Sequence, residues 1–324
     1  MLLIQQFVQP KVCGYPRLKG PSFCFLITHT SGQKLLFDLS VRQDFENLAP
    51  TVVDAIRNPL HDWHLSTSRD VSEVLSDNEV RLPDVRAIIW SHFHFDHVGN
   101  PALFPAGTKL IVGPGSRAAI GNGYPNEPDA PVLASDWEGR ELVELDFGDN
   151  GDILQIGQFK ALDWFGDGSF FILHTPGHAV GHLCGLARVE EDSYVLMAGD
   201  CAHHPGEFRP SSLAPLYSPS STNYQSSQTS GYGQTAPFFQ PAKNYTHDYN
   251  ECLATLEGIA QFDAEDNVFL LLAHDNHALS LFEEKDDLGM RWLFPEKSID
   301  RWRKEGLKQA VHWKFLADFG RLVD

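Results

Sequence analysis

The stretch WSHFHFDHVGN, residues 90–100, places three histidines and one aspartate within six consecutive positions. These residues are His92, His94, Asp96 and His97, and they follow the apolar run VRAIIW of residues 85–90. A short apolar run rich in β-branched residues predicts a buried strand. Because solvated loops do not need imidazoles and protein cores accept few of them, a cluster of this density at a strand end indicates a functional site.

Three further apolar runs end in the same way. Residues 169–173 (SFFIL), 194–198 (YVLMA) and 268–273 (VFLLLA) each predict a strand, and imidazole or carboxylate side chains follow each of them at once. If these strands lie in sheets with their ends at one edge, the side chains converge on one site. Imidazole nitrogen and carboxylate oxygen together suit zinc and neighbouring first-row metals. The residues beyond the three strands are His174, His178, His182, Asp200, His203, His204, His274, Asp275 and His277.

The composition excludes several classes of protein. The 324 residues carry a net charge of −18, so electrostatic binding to nucleic acid or to an anionic membrane is not expected. The five cysteines form no CxxC pair, which favours a reducing compartment over a disulfide framework. The start of the chain has no signal-peptide pattern, and the longest apolar run is far shorter than the roughly 20 residues of a membrane span. We expect a cytoplasmic protein.

The sequence has no internal repeat and no clear linker, which favours a single domain over residues 1–324. Further strands are predicted in the runs FCFLITH, KLLFDL and KLIV, and helices at 51–58, 116–120 and 248–260. A long C-terminal helix is predicted to begin after Ser298, a plausible N-cap residue. Residues 211–234 contain no charged residue and are rich in serine and tyrosine. They predict a long insertion, around 205–245, that covers the site as a lid. The alternative is a disordered surface loop.

Four motifs of the chain resemble those of one protein family. HFHFDH at 92–97 matches the HxHxDH signature of the metallo-β-lactamase superfamily, and TPGHAVGH resembles its second histidine loop. AGD at 198–200 resembles the bridging aspartate of the superfamily, and AHD at 273–275 resembles its last ligand. The motifs occur in the order of the family. The resemblance implies an α/β fold, a four-layer αββα sandwich with a dinuclear metal site at one edge between the sheets.

The resemblance also assigns the metal ligands. It implies two zinc ions per chain, with iron or manganese as alternatives. Two such cations share a water molecule and lower its pKa, which produces hydroxide near neutral pH, and they polarise a carbonyl group and stabilise the oxyanion formed on attack. The implied ligands are His92, His94 and His178 for the first metal, Asp96, His97 and His274 for the second, and Asp200 as the bridge between them.

Two catalytic residues are predicted, Asp96 and His203. Bacterial lactonases that the chain resembles place a tyrosine three residues after the bridging aspartate, where this chain has His203. Imidazole donates a proton near neutral pH more readily than a phenol, so His203 would suit a poor leaving group such as a lactam nitrogen. The alternative is that His203 points into its loop and His204 or a water molecule serves instead.

Two other polar residues are expected to support the site. His182 is interpreted as a structural neighbour of the ligands. Asp38 lies where the superfamily often has an aspartate that orients a ligand histidine, and a buried polar anchor is the alternative interpretation.

The motifs point to a hydrolase of the lactonase group, similar to fungal lactonase-like members of the superfamily. We expect metal-bound hydroxide to open a cyclic ester or amide of a small apolar molecule. A lactone is favoured, and a lactam or a cyclic carbamate comes next because the attack is the same. One alternative is a thioesterase of the glyoxalase II type. The other is a mononuclear iron oxidoreductase of the persulfide dioxygenase type, which metal analysis distinguishes. The expected partner is a small-molecule substrate, and the oligomeric state stays open.

Overall fold

The structure is a computed structural model that describes residues 2–10, 17–148, 152–216, 234–281 and 299–320. No helix among these residues is both long and apolar enough to cross a membrane. The strands are β1 (Leu2–Leu3), β2 (Val8–Gln9), β3 (Arg17–Leu18), β4 (Phe25–Thr28), β5 (Lys34–Phe37), β6 (Val85–Ile89), β7 (Lys109–Val112), β8 (Leu142–Glu144), β9 (Ile153–Ile156), β10 (Phe159–Asp163), β11 (Phe170–His174), β12 (Leu183–Glu190), β13 (Ser193–Met197), β14 (Gln240–Pro241) and β15 (Val268–Leu271). The helices are α1 (Pro50–Arg57), α2 (Val71–Asp77), α3 (Phe95–Val98), α4 (Ser116–Ile120), α5 (Tyr249–Ala264), α6 (Trp302–Glu305), α7 (Leu307–Val311) and α8 (Ala317–Gly320).

Two sheets contain most of the strands. The first has the order β4-β5-β6-β7-β8 and is parallel except for the β4–β5 pair. The second has the order β9-β10-β11-β12-β13-β15 and is antiparallel except for the β13–β15 pair. Parallel neighbours end at the same edge of a sheet, so the loops that follow β13 and β15 emerge side by side.

Alternating side chains build the core between the two sheets. Leu35 and Phe37 of β5 face the second sheet, where they share a buried cluster with Ile172 and Leu271. Leu36 lies between them and belongs to a different cluster, together with Leu75 of α2. Because successive side chains of a strand point to opposite faces, the first sheet lies between the second sheet and a helical layer.

A helix also covers the outer face of the second sheet. Leu256 and Ile259 of α5 share a buried cluster with Leu196 of β13 and Leu270 of β15. The layers are therefore helix, sheet, sheet and helix. The four-layer αββα sandwich that the resemblance implied is confirmed.

Most of the predicted elements are present, with one error at the C-terminus. All seven strands predicted from apolar runs occur, and α1, α4 and α5 correspond to the predicted helices. The prediction of one long C-terminal helix is wrong, because its described part forms α6, α7 and α8. Gly306 separates α6 from α7 with a φ of 67°, a left-handed conformation that ends a helix.

Two predictions fall on residues outside the described ranges. Ser298, the expected N-cap of the C-terminal helix, is one of them. Residues 217–233 of the expected insertion are also outside, so the lid hypothesis stays a prediction, as does the single domain over the whole chain.

Three segments that are distant in sequence form a separate apolar cluster, named here the terminal cluster. One segment precedes residue 20, one lies in the C-terminal part of the expected insertion, and one is C-terminal. β2 pairs with β14, which ties the first segment to the second. The terminal cluster consists of Phe7, Val8, Leu18, Phe238, Phe239 and Phe315.

Candidate metal centre

The seven predicted ligands lie at one edge of the sandwich. β6 leads into the loop and short helix α3 that carry residues 92–97, and the loop between β11 and β12 carries His178. Asp200 and His274 follow β13 and β15, which are parallel neighbours, so both emerge at the same edge. The structure brings all seven side chains together between the two sheets.

Four side-chain atoms form the first group, which consists of His92 Nε2, His94 Nδ1, His178 Nε2 and Asp200 Oδ2. The three nitrogens lie 2.9, 3.1 and 3.2 Å from one another. Asp200 Oδ2 lies 3.7 Å from His178 Nε2 and 3.9 Å from His92 Nε2. A tetrahedral zinc ion with bonds of about 2.0–2.1 Å places its ligand atoms roughly 3.4 Å apart. The first group therefore suits one metal ion.

Asp200 turns its other oxygen toward a second group, which also contains Asp96, His97 and His274. Asp200 Oδ1 lies 3.2 Å from His97 Nε2 and 3.2 Å from His274 Nε2. Asp96 Oδ2 lies 3.3 Å from His274 Nε2, and Asp96 Oδ1 lies 3.9 Å from His97 Nε2. One carboxylate thus has one oxygen in each group, as a ligand that bridges two metals would.

Some atoms of the two groups are buried and lack a hydrogen-bond partner among the described residues. They include His97 Nε2 and Asp200 Oδ1. A polar atom left unpaired in a protein interior is costly, and a divalent cation in the second group, to which both atoms belong, would satisfy them. Together with the spacing of the first group, this makes the residues present fit a pair of metal ions.

Hydrogen bonds on the far side of two imidazoles orient their Nε2 atoms into the second group. His97 Nδ1 lies 2.9 Å from Asp38 Oδ2, and His274 Nδ1 lies 2.7 Å from the Pro21 carbonyl oxygen. Asp38 also accepts hydrogen bonds from the Ser91 backbone N–H at 2.6 Å and from the Ser91 hydroxyl at 2.7 Å. Each histidine donates from Nδ1, so the lone pair of Nε2 is available to a metal. The interpretation of Asp38 as an orienting residue agrees with this geometry.

A model of the metallo-β-lactamase superfamily matches residues 17–274, which include all seven predicted ligands. The chain belongs to the metallo-β-lactamase superfamily. Gamma-lactamase FDB1 of Fusarium pseudograminearum (strain CS3096) is 39% identical over 340 residues, which cover 98% of this chain and 79% of FDB1. Metallo-hydrolase mfmC of Annulohypoxylon moriforme is 41% identical over 328 residues, which cover 97% of this chain and 82% of mfmC.

Solved structures of the superfamily share the fold. A mutant of AiiA from B. thuringiensis, with N-decanoyl-L-homoserine bound at its active site, superimposes with a TM-score of 0.52. The superposition covers 79% of this chain and 81% of AiiA at 16% sequence identity, so it shows the fold alone. Together with the relatives, the family match makes the chain a hydrolase of the metallo-β-lactamase superfamily with candidate metal-binding histidines and aspartates.

Protonation differs between the two groups of this superfamily site. Burial, together with the neighbouring imidazoles, holds the pKa of His92 and that of His178 well below the ordinary value. Burial acts in the same direction on His274, but Asp200 and Asp96 outweigh it and raise the pKa of His274 to about 10. Asp200 and Asp38 likewise hold the pKa of His97 well above its ordinary value, against the effect of burial. A metal bound to the second group would displace these protons, because a ligand imidazole must be neutral.

His203, the predicted proton donor, lies beside the bridging aspartate. His203 Nε2 is 3.4 Å from Asp200 Oδ2, and its ring centroid is 4.8 Å from that of His178. The Phe7 ring of the terminal cluster lies 4.6 Å from the His203 ring. His203 therefore points toward the metal groups and not into its own loop.

His182 supports the site as expected. Its Nε2 accepts a hydrogen bond from the backbone N–H of Asp200 at 3.1 Å, and its Nδ1 donates to the Thr175 carbonyl oxygen at 3.0 Å. Burial lowers the pKa of His182 to about 3. A neutral His182 thus holds the backbone of the bridging residue.

Glu207 also supports the site, although no sequence pattern predicted it. Its Oε1 accepts hydrogen bonds from the backbone N–H groups of His203, at 2.6 Å, and His204, at 2.9 Å. Glu207 Oε2 is buried without a hydrogen-bond partner among the described residues, and burial raises the pKa of Glu207 to about 7. The glutamate three residues after His204 has the spacing of a capping box, but the sequence signature of that motif begins with serine or threonine, so the pattern did not identify Glu207.

Proposed function

We propose that the chain is a dinuclear zinc hydrolase that opens a cyclic ester or amide of a small, apolar molecule. The observation that carries the proposal is the geometry of Asp200. Its Oδ2 faces one group of three histidines, and its Oδ1 faces a second group of two histidines and one aspartate. Two separate groups joined by one carboxylate are what a two-metal hydrolase requires.

Each metal has its own set of proposed ligands. When bound, the two metals would lower the pKa of a shared water molecule and polarise the substrate carbonyl. Asp200 would bridge them. The proposed ligands are His92, His94 and His178 for the first metal and Asp96, His97 and His274 for the second.

The chain's own groups orient this site and move a proton. Asp38 and the Pro21 carbonyl hold His97 and His274 with Nε2 toward the metals. The Ser22 hydroxyl donates a hydrogen bond to the backbone carbonyl of Asp96. This bond fixes the loop that carries Asp96, which is both a proposed ligand and a proposed catalytic residue. His203 lies beside Asp200 and would donate its proton to the leaving atom as the carbon–heteroatom bond breaks and the ring opens to a carboxylate.

A lactam is the substrate class that we favour. Gamma-lactamase FDB1 covers nearly the whole of this chain. An amide nitrogen is a poor leaving group unless it is protonated. His203 lies beside Asp200, near both groups of proposed ligands, and its imidazole would supply that proton. A lactone requires the same attack and only a different leaving atom, so lactones and cyclic carbamates belong to the same proposal.

Metal analysis and a substrate screen test the proposal together. We expect about two zinc ions per chain, as a two-metal site requires, and hydrolysis of a five-membered lactam or lactone by the loaded protein. Chelator-treated protein is the control and should be inactive until zinc is added back. One iron per chain would favour the persulfide dioxygenase alternative, and activity on thioesters alone would favour the glyoxalase II alternative.

A further inference from the structure

A second cluster of histidine and aspartate lies outside the metal groups. Asp318 of α8 places one oxygen, Oδ2, 3.2 Å from His204 Nε2 and 2.7 Å from His277 Nε2. Asp318 comes from the C-terminal segment, 114 residues after His204 and 41 residues after His277. We name Asp318, His204 and His277 the C-terminal latch.

The protonation of His204 distinguishes the latch from a third metal site. The backbone N–H of Gly206 donates a hydrogen bond to His204 Nδ1 at 2.9 Å. Nδ1 is therefore the unprotonated nitrogen of a neutral imidazole, and Nε2 carries the hydrogen. A nitrogen that carries a hydrogen has no lone pair for a metal, but it donates well to a carboxylate. The latch is thus a carboxylate that receives hydrogen bonds from two imidazoles.

The two histidines of the latch lie on loops that carry proposed metal ligands. His204 is four residues after Asp200, in the loop that follows β13. His277 is three residues after His274, in the loop that follows β15, and Asp275 Oδ1 caps the backbone N–H of His277 at 2.8 Å. One carboxylate therefore ties these two loops together.

The two metal groups depend on these loops to different degrees. The second group takes both Asp200 and His274 from the latched loops, whereas the first group takes Asp200 alone. A change in the spacing of the loops would separate two of the four ligands of the second metal from each other. It would leave the three histidines of the first metal in place.

We propose that Asp318 is a positioning residue that sets the distance between the Asp200 and His274 loops and so maintains the binding site of the second metal. The inference rests on the proposed two-metal function.

The surroundings of Asp318 show that the C-terminal segment is firmly held. Phe315 is fully buried in the terminal cluster, and its ring lies 5.5 Å from the His204 ring. Burial raises the pKa of Asp318, but its bonds to His204 and His277 outweigh that effect and lower the pKa to about 2. The carboxylate is thus ionised at neutral pH, and hydrogen bonds to a charged acceptor are the stronger kind.

The test compares Asp318→Ala and Asp318→Asn with a matched control. Lys314→Ala is the control, because Lys314 Nζ bonds the Ser280 hydroxyl at 2.8 Å and also ties the C-terminal segment to the loop after β15. Among the described residues, no side-chain hydrogen bond joins Lys314 to the side chains of Asp318, His204 or His277. Each full-length protein is loaded with zinc and titrated with a chelator, and the zinc remaining per chain, kcat, KM and Tm are measured. Asparagine keeps one acceptor oxygen, so it should have an intermediate effect.

We expect Asp318→Ala to weaken the second zinc by about tenfold, the lower limit for loss of a direct partner of a ligand. The first zinc should keep its affinity, and kcat should fall more than KM changes. Lys314→Ala should match the wild type. Three results would overturn the inference: unchanged zinc affinity in Asp318→Ala, equal weakening of both zinc ions, or a lower Tm with both zinc ions retained. Failure of the wild-type protein to bind two zinc ions would instead overturn the proposed function itself.

Discussion

Replacing Asp38 with asparagine should selectively weaken the second metal, because it inverts the protonation of His97. Asp38 is 1% exposed and accepts three hydrogen bonds, two from Ser91 and one from His97 Nδ1. An asparagine side chain has one acceptor oxygen and one donor amide. If its oxygen faces the Ser91 N–H, its amide meets His97 Nδ1. His97 must then accept at Nδ1 and carry its hydrogen on Nε2, the atom that faces Asp200.

The size of the effect follows from the position of Asp38. It bonds a proposed ligand directly, and loss of such a partner lowers metal affinity by roughly 10–100-fold, or about 1.4–2.7 kcal/mol. The first metal should be affected less, because the described residues connect Asp38 to the first group indirectly, through the Ser91 hydroxyl, which lies 3.0 Å from His92 Nδ1.

Chelator titration of zinc-loaded protein measures this difference. Asp77→Asn is the matched control, since it makes the same chemical change on a side chain that is 66% exposed. The control should keep both zinc affinities. If Asp38→Asn binds two zinc ions as tightly as the wild type, or releases the first zinc before the second, the orienting role of Asp38 is wrong.

Four further variants, at three residues, test the remaining roles. Asp200→Ala removes both bridging oxygens, so zinc content should fall below two per chain and the rate should fall by more than about 100-fold; full zinc with retained activity would contradict the bridge. His203→Ala should lower kcat by about 10²–10⁴-fold with both metals retained and remove the alkaline limb of the pH–rate profile. His203→Tyr should favour lactones over lactams as substrates. An alanine variant with unchanged kcat would exclude His203 from catalysis. Glu207 has a pKa raised by burial to about 7 from an ordinary value of 4.5, so its contribution to stability is complete below pH 4.5 and is lost as the pH rises to 7. The free energy of unfolding of Glu207→Gln, measured with denaturant, should therefore equal that of the wild type near pH 4.5 and exceed it by about 3 kcal/mol at pH 8. If the two proteins are equally stable at both pH values, ionisation of the buried carboxyl does not destabilise the wild type.

The sequence alone was sufficient for the sandwich and for the choice of candidate ligands. Seven strands of the two sheets contain short apolar runs, so their positions follow from local composition. The longest strand, β12, has the sequence LCGLARVE and was not predicted. The candidate ligands directly follow four of those runs, so their identity needed no knowledge of distant contacts. The motif HFHFDH then implied the arrangement of the layers, which the clusters on both faces of β5 confirm.

Tertiary structure decided which partner orients each ligand imidazole, because these partners lie far away in the chain. Asp38 and His97 are separated by 59 residues, and Pro21 and His274 by 253 residues, and no periodicity relates the members of such pairs. The C-terminal segment has the sequence pattern of one helix, yet Gly306 divides it. The division allows Phe315 to be buried and the Asp318 carboxylate to accept hydrogen bonds from two distant histidines. Local propensity is worth only tenths of a kcal/mol per residue, whereas burying a large side chain and pairing a charge contribute several times more. The orientation of each imidazole was therefore set by partners that only the folded chain brings near.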